Sequence, residues 1–355
     1  MRSSSSATVL ILGAVLVAGA LPIFADVYRI SLFGAVSYDD YAPYLLWLLG
    51  EPGGRTAPSP HFYRIGSVAL AAPFYYLPPI GFSGIDETVA YQKATQAMCL
   101  ANVFYLSLAA LTVSAYLRLR LAVSAEWSFV AAFVFLLLSR YLGLNGVDGI
   151  ATLPLTLLVF TAAERRVAHF AVLLIIGAAI NEKIIITSAL FVFLRTLFVP
   201  EARREYFLMS LANAAVLAVY IFAVAALAVA GNENHVDPST YFGGLLDMVH
   251  RSLSARGFYL NAWAPLLLTG MWAVAMQAPR SRAFTLACDL GVILLLLLIA
   301  FALDVNLNAG RIVMYSMPIF LTGSVQALAS MQHGRDRLET GSSGSGSMGR
   351  GENAG

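Results

Sequence analysis

The residues of this chain able to do chemistry are few, and they gather between its apolar runs. The first group is Tyr38-Asp39-Asp40-Tyr41, just ahead of the apolar stretch Tyr44–Leu49. Two adjacent carboxylates at the edge of an apolar surface repel each other, and burial raises the pKa of at least one. Such a carboxylate suits a general base that takes a proton from a sugar hydroxyl. The same pair also suits the first turn of a helix, where Asp caps free N–H groups and meets the positive end of the dipole. Asn181-Glu182-Lys183 interrupts what is otherwise one long apolar run. A lysine and a carboxylate at membrane depth are costly unless they pair or line a cavity; in a plain hairpin turn they would simply sit in water. Asp148, in Asn145-Gly146-Val147-Asp148-Gly149, is open to the same two readings, a turn residue or a site carboxylate. Arg311, after Asp304-Val305-Asn306-Leu307-Asn308-Ala309-Gly310, and Arg64, in His61-Phe62-Tyr63-Arg64, could each pair a guanidinium with a phosphate in bidentate geometry. Either could equally snorkel to lipid headgroups. His61, His250 and Arg251 complete the candidates, and isolated histidines in long loops are seldom metal ligands.

What must position these residues is a set of apolar helices. Hydrophobic residues make up 59% of the 355 positions and charged residues 12%, about half the usual share, with a mean hydropathy of +0.75. A soluble core of this size cannot bury so much apolar surface. Residues 7–25, 96–117, 207–230, 261–278 and 312–330 each run uncharged for 18 or more positions, near the length that crosses a bilayer. Residues 290–303 add another run, and four shorter pieces lie near 127–143, 148–163, 167–180 and 184–199. Residues 65–83 are apolar but broken by Pro73, Pro78 and Pro79, which fits a re-entrant or interfacial segment better than a span.

The pattern predicts an all-α polytopic membrane protein of about ten spans with both ends inside. Arg118/Arg120, Arg165/Arg166, Arg203/Arg204, Arg280/Arg282 and Arg335/Arg337 then fall on the cytoplasmic side. In that topology residues 1–332 form one transmembrane domain, with a first outer loop at about 26–95 and another at about 231–260. The Gly/Ser-rich segment 333–355 is expected to be a disordered cytoplasmic tail. The N-terminal run also has the look of a signal peptide, with Ala18-Gly19-Ala20 as a cleavage site. The outer connections collect Asp39, Asp40, His61, Arg64, Asp148, Glu182, Lys183, His250, Arg251 and Arg311, so the functional face is expected to be extracytoplasmic. Asp289, inside its helix, is expected to make a structural helix–helix bond. Cys99 and Cys288 lie in apolar runs and read as small hydrophobes. A net charge of +2 is too balanced for a nucleic-acid binder.

An inside N-terminus, a long first outer loop with an acidic motif soon after the first span, and short helices meeting in outer turns resemble the GT-C superfamily of membrane glycosyltransferases. Pro60-His61-Phe62-Tyr63-Arg64-Ile65 is similar to the aromatic-Tyr-Arg element near the end of that loop in bacterial relatives. The resemblance maps the family's catalytic Asp onto Asp39 or Asp40, with Tyr38 beside them. It implies a donor sugar on a polyprenyl phosphate, transferred outside the membrane to a lipid-linked or cell-envelope glycan acceptor. In that scheme Arg64, Lys183 and Arg311 meet the donor phosphate, with Tyr38, His61, Asp148, Glu182, His250 and Arg251 as further site candidates. Metal use varies across the family, so a divalent metal stays open. Size and composition fit a bacterial inner membrane. A multi-pass transporter or lipid flippase is the chief alternative, and a non-catalytic partner in an envelope complex the next.

Overall fold

The computed structural model describes residues 41–56, 61–80, 88–143, 147–229, 280–302 and 312–325, with isolated positions near 270–276 and at 327. Every regular element among them is helical: α1 (Tyr41–Leu49), α2 (Ile65–Ala71), α3 (Val89–Leu119), α4 (Ala125–Gly143), α5 (Asp148–Ala163), α6 (Val167–Ile180), α7 (Glu182–Phe198), α8 (Arg203–Val229), α9 (Arg280–Ala302) and α10 (312–325). Short 3-10 turns flank α2 at His61–Arg64 and Ala72–Tyr76 and interrupt α10 at Met314–Ser316.

Two stretches among the described residues are long and apolar enough to cross a membrane, Val89–Leu119 and Pro200–Ala226. Their environments differ. The apolar window of α3 is 61% buried inside the protein and that of α8 only 11%, so α3 is the central post and α8 an outer one. Phe222 and Val219 on α8 are 75% and 69% exposed. The shorter runs end where the sequence breaks them. α5 and α6 have 16 and 14 residues, about 24 and 21 Å at 1.5 Å per residue, because Glu164-Arg165-Arg166 turns the chain between them. Both fall short of the roughly 30 Å of a hydrocarbon core. Ile65–Tyr76 is shorter still: α2 passes into its 3-10 turn at Ala72-Pro73, and the chain extends from Leu77. Gln96 on α3 then holds the extended piece, accepting from Ile80 N at 2.7 Å and donating to Pro78 O at 2.8 Å.

Packing is organised around α3, which carries α1, α4 and α5, while α7 gathers α6, α8 and α9. One end of the bundle is basic. There Arg120 Nε and Arg166 Nε grip the two oxygens of Glu164 at 3.0 and 2.8 Å, tying the end of α3 to the α5–α6 turn, and the adjoining chain carries Arg118, Arg165, Arg203 and Arg204. The opposite end holds Arg64, Asp148, Glu182 and Lys183. Both cysteines are buried thiols, as their apolar runs suggest.

Candidate functional site

The site is assembled where α2, α5, α6, α7 and α10 meet. Gly66 and Ser67, at the start of α2, press against the last turn of α6. A Cβ on Gly66 would lie 2.8 Å from the carbonyl oxygen of Ala179, closer than side chains tolerate, so only glycine lets the backbones come together. Ser67 Oγ donates to Ile180 O at 2.6 Å and satisfies one of the carbonyls that a helix end leaves unpaired. Tyr63 adds a second anchor, its hydroxyl donating to Ala223 O on α8. The consequence is that Arg64, at the end of the 3-10 turn, is aimed at the α6–α7 junction.

That junction is made by Asn181. Its backbone is extended (φ −164°, ψ 131°), which ends α6, and its side-chain oxygen accepts from Lys183 N at 3.0 Å, which starts α7. One residue therefore stops one helix and caps the next, and Glu182 and Lys183 emerge side by side. Arg64 grips Glu182 with two parallel bonds, Nε to Oε2 at 2.8 Å and Nη2 to Oε1, while Nη1 donates to the Tyr41 hydroxyl. Lys183 Nζ meets Asp148 Oδ1 at 2.9 Å and Oδ2 at 3.2 Å. Asp148 Oδ1 also accepts from the Tyr315 hydroxyl at 2.6 Å and from Asn181 Nδ2 at 3.2 Å. Asp148 is placed in turn by α3. A Cβ on Gly149 would lie 2.7 Å from Asn102 Oδ1, and that same oxygen accepts from Ile150 N at 3.0 Å, capping α5 from a neighbouring helix.

The cluster is two matched ion pairs with little solvent between them. Side-chain exposure is 9% for Arg64 and 21% for Glu182, 13% for Lys183 and 3% for Asp148. At this depth ion pairs stand only when the geometry is good and the remaining donors and acceptors are met. Asp148 is engaged through both oxygens. Three of the five N–H donors of Arg64 hold Glu182 and Tyr41 among the described residues. Burial pushes the Tyr41 phenol up to about 12, against the pull of the Arg64 guanidinium, so it stays a neutral hydroxyl at physiological pH.

Of the residues the sequence singled out, Arg64, Asp148, Glu182 and Lys183 come together here, although 118 positions separate Arg64 from Glu182. Two of the three cations expected to meet phosphate, Arg64 and Lys183, are each held by a carboxylate. His61 opens the 3-10 turn that Arg64 closes. Tyr38, Asp39, Asp40, His250, Arg251 and Arg311 lie outside the described residues. Tyr41, the next residue in sequence after Asp40, is bonded to Arg64. Asp289 makes the helix–helix bond expected of it, to a charged partner: Arg195 Nη2 on α7, at 2.7 Å. Sequence reasoning missed Arg195, Tyr315 and Asn102. The available signal for Arg195 was a lone arginine near the end of an apolar run; a tyrosine or asparagine within a helix gives none. Among the described residues no three His, Cys, Asp or Glu side chains come together as a metal site. Comparison of the chain with protein-family models, with curated proteins and with solved structures gave no match.

Proposed function

We propose that this protein is a multi-pass membrane glycosyltransferase of the GT-C type, moving a sugar from a polyprenyl-phosphate donor to a lipid-linked or cell-envelope glycan acceptor on the extracytoplasmic face. The observation that carries the reading is the bond between Arg64 and Tyr41: it ties the cation at the end of the first loop's aromatic-Tyr-Arg element to the residue adjoining the Asp39-Asp40 pair. Helices α3 to α10 are then spans and half-spans of the bundle, α1 and α2 belong to the first outer loop, the basic end is cytoplasmic, and the Arg64 end faces out.

In this scheme Asp39 or Asp40 takes the proton from the acceptor hydroxyl. The acceptor oxygen forms its bond to the sugar's anomeric carbon as the bond from that carbon to the phosphate oxygen breaks, and polyprenyl phosphate leaves with the electron pair. Arg64 meets the charge developing on the leaving phosphate, where a preorganised donor acts most strongly. Glu182 and Tyr41 fix the guanidinium, and Asp148 fixes Lys183 beside it. The neutral sum of the two pairs limits long-range pull on an anion, so phosphate binding rests on the donors left over on Arg64, with Lys183 and Arg311 in support.

The test is incubation of the protein, reconstituted in nanodiscs, with radiolabelled polyprenyl-phosphate sugars and membrane lipid extract. Transfer or hydrolysis of one donor, lost on Asp39→Asn or Asp40→Asn, is expected. Full activity in both folded variants would end the assignment. The transporter reading draws on the Asn181 break, since discontinuous helices often line transport sites. It predicts flux across sealed vesicles with no donor turnover.

A further inference from the structure

At the basic end, away from the Arg64 cluster, a cavity of about 250 Å³ opens between α3, α5, α7, α9 and α10. Its walls are apolar and aromatic. Tyr116 of α3 stacks on Phe160 of α5 at 3.9 Å with the rings 9° from parallel, and both line the space. Its polar groups are Arg195, Asp289, Thr285, Thr322 and the Tyr116 hydroxyl, and these are largely unspent. Asp289 uses Oδ1 to hold Arg195, and its Oδ2 makes no bond among the described residues. Arg195 Nε is buried without an acceptor among them. Neither the Thr285 nor the Tyr116 hydroxyl has a hydrogen bond to a described residue, whereas Thr322 is spent on Pro318 O at 2.6 Å. A buried donor left without a partner is costly, so Arg195 Nε, with the half-buried Thr285 and Tyr116 hydroxyls lining the same cavity, points to a ligand that accepts from it.

The chemistry of that ligand follows from the wall. Among the described residues the charged lining side chains are Arg195 and Asp289, which cancel, so this wall selects neither an anion nor a cation. Donors (Arg195 and two hydroxyls) stand beside an acceptor (Asp289 Oδ2), which suits groups able both to give and to take a hydrogen bond. Tyr116 and Phe160 add apolar aromatic wall. The volume lies just under the roughly 300–1,000 Å³ of drug-sized pockets, enough for a single ring. We propose that this cavity binds a neutral, hydroxyl-rich ring such as a hexose, presented by a glycolipid head group or as a free sugar. This site is independent of the transferase reading.

The test uses the full chain in phosphatidylcholine nanodiscs made without sugar detergents. Radiolabelled octyl β-D-glucoside stands in for the lipid-borne ring and methyl β-D-glucoside for the free sugar. Saturable binding at one per chain is expected. Ala163→Phe and Gly323→Leu, which fill the cavity without touching the ion pair, should each weaken it at least tenfold. Thr285→Val and Tyr116→Phe remove one hydroxyl each at nearly constant volume and should weaken it three- to tenfold; they carry the test if the filling variants fail to fold. Binding of the octyl glycoside alone assigns the glycolipid, and binding of both assigns the free sugar. The proposal is overturned if neither glucoside binds saturably or if binding survives these variants. It is equally overturned if octyl sulfate or octyltrimethylammonium competes tenfold better than octyl glucoside.

Discussion

Replacing Asp148 by Asn should cost about 3 kcal/mol of stability. Its carboxylate is 3% exposed and receives Lys183, Tyr315 and Asn181. Asn keeps one acceptor but removes the charge, leaving the ammonium of Lys183, itself only 13% exposed, beside a new NH2 donor. Breaking one side of a buried pair costs about 3–5 kcal/mol. The retained acceptor offsets part of this, as an ordinary hydrogen bond contributes about 1 kcal/mol, so the expected loss is about 3 kcal/mol. Lys183→Met removes the ammonium that the Asn no longer balances, and the double variant Asp148→Asn/Lys183→Met should recover about 2 kcal/mol of that loss. Reversible unfolding in mixed micelles, with the anionic detergent fraction as the variable, measures all three. A single variant within about 0.5 kcal/mol of wild type, the scatter of neutral surface changes, would refute the claim that this pair is desolvated and holds α5 to α7. Additive losses in the double variant would refute their coupling.

Arg64→Lys keeps the charge but loses the fork that meets both oxygens of Glu182 and the Tyr41 hydroxyl; in the donor-turnover assay it should lower kcat by about 100-fold, the scale of losing one preorganised donor. Gly66→Ala and Gly149→Ala place a Cβ 2.8 Å from Ala179 O and 2.7 Å from Asn102 Oδ1, and each should cost about 1–3 kcal/mol by forced shifts in packing, read by the same unfolding titration. Tyr41 has a folded-state phenol at about 12 against 10 unfolded, so the folded state holds the proton more tightly. Its contribution is therefore full below pH 10 and lost as pH rises through 12. Tyr41→Phe should flatten that part of the stability profile, and an unchanged slope would show that the phenol is not buried as described.

The sequence by itself determined the elements. Uncharged runs, the proline breaks after residue 72 and the arginine-bearing turn at 164–166 act within a few neighbours along the chain, so they mark helix ends without knowledge of the fold. Asn181 belongs to the same class, because stopping one helix and capping the next is done by its own backbone and side chain. The tertiary structure decided who meets whom. The sequence offers Arg64 and Lys183 as cations for a phosphate without saying which carboxylate each meets, and only the docking of α2 on α6 through Gly66 and Ser67 brings Arg64 to Glu182. Only the seating of Gly149 against Asn102 places Asp148 for Lys183, and only α10 brings Tyr315 to the same oxygen. The Arg195–Asp289 pair, 94 positions apart, was half legible: a lone buried carboxylate demands a donor, but nothing along the chain says which helix supplies it. Charge partners at such separations are fixed by packing, where the cost of an unpaired buried charge selects the arrangement that pairs them all.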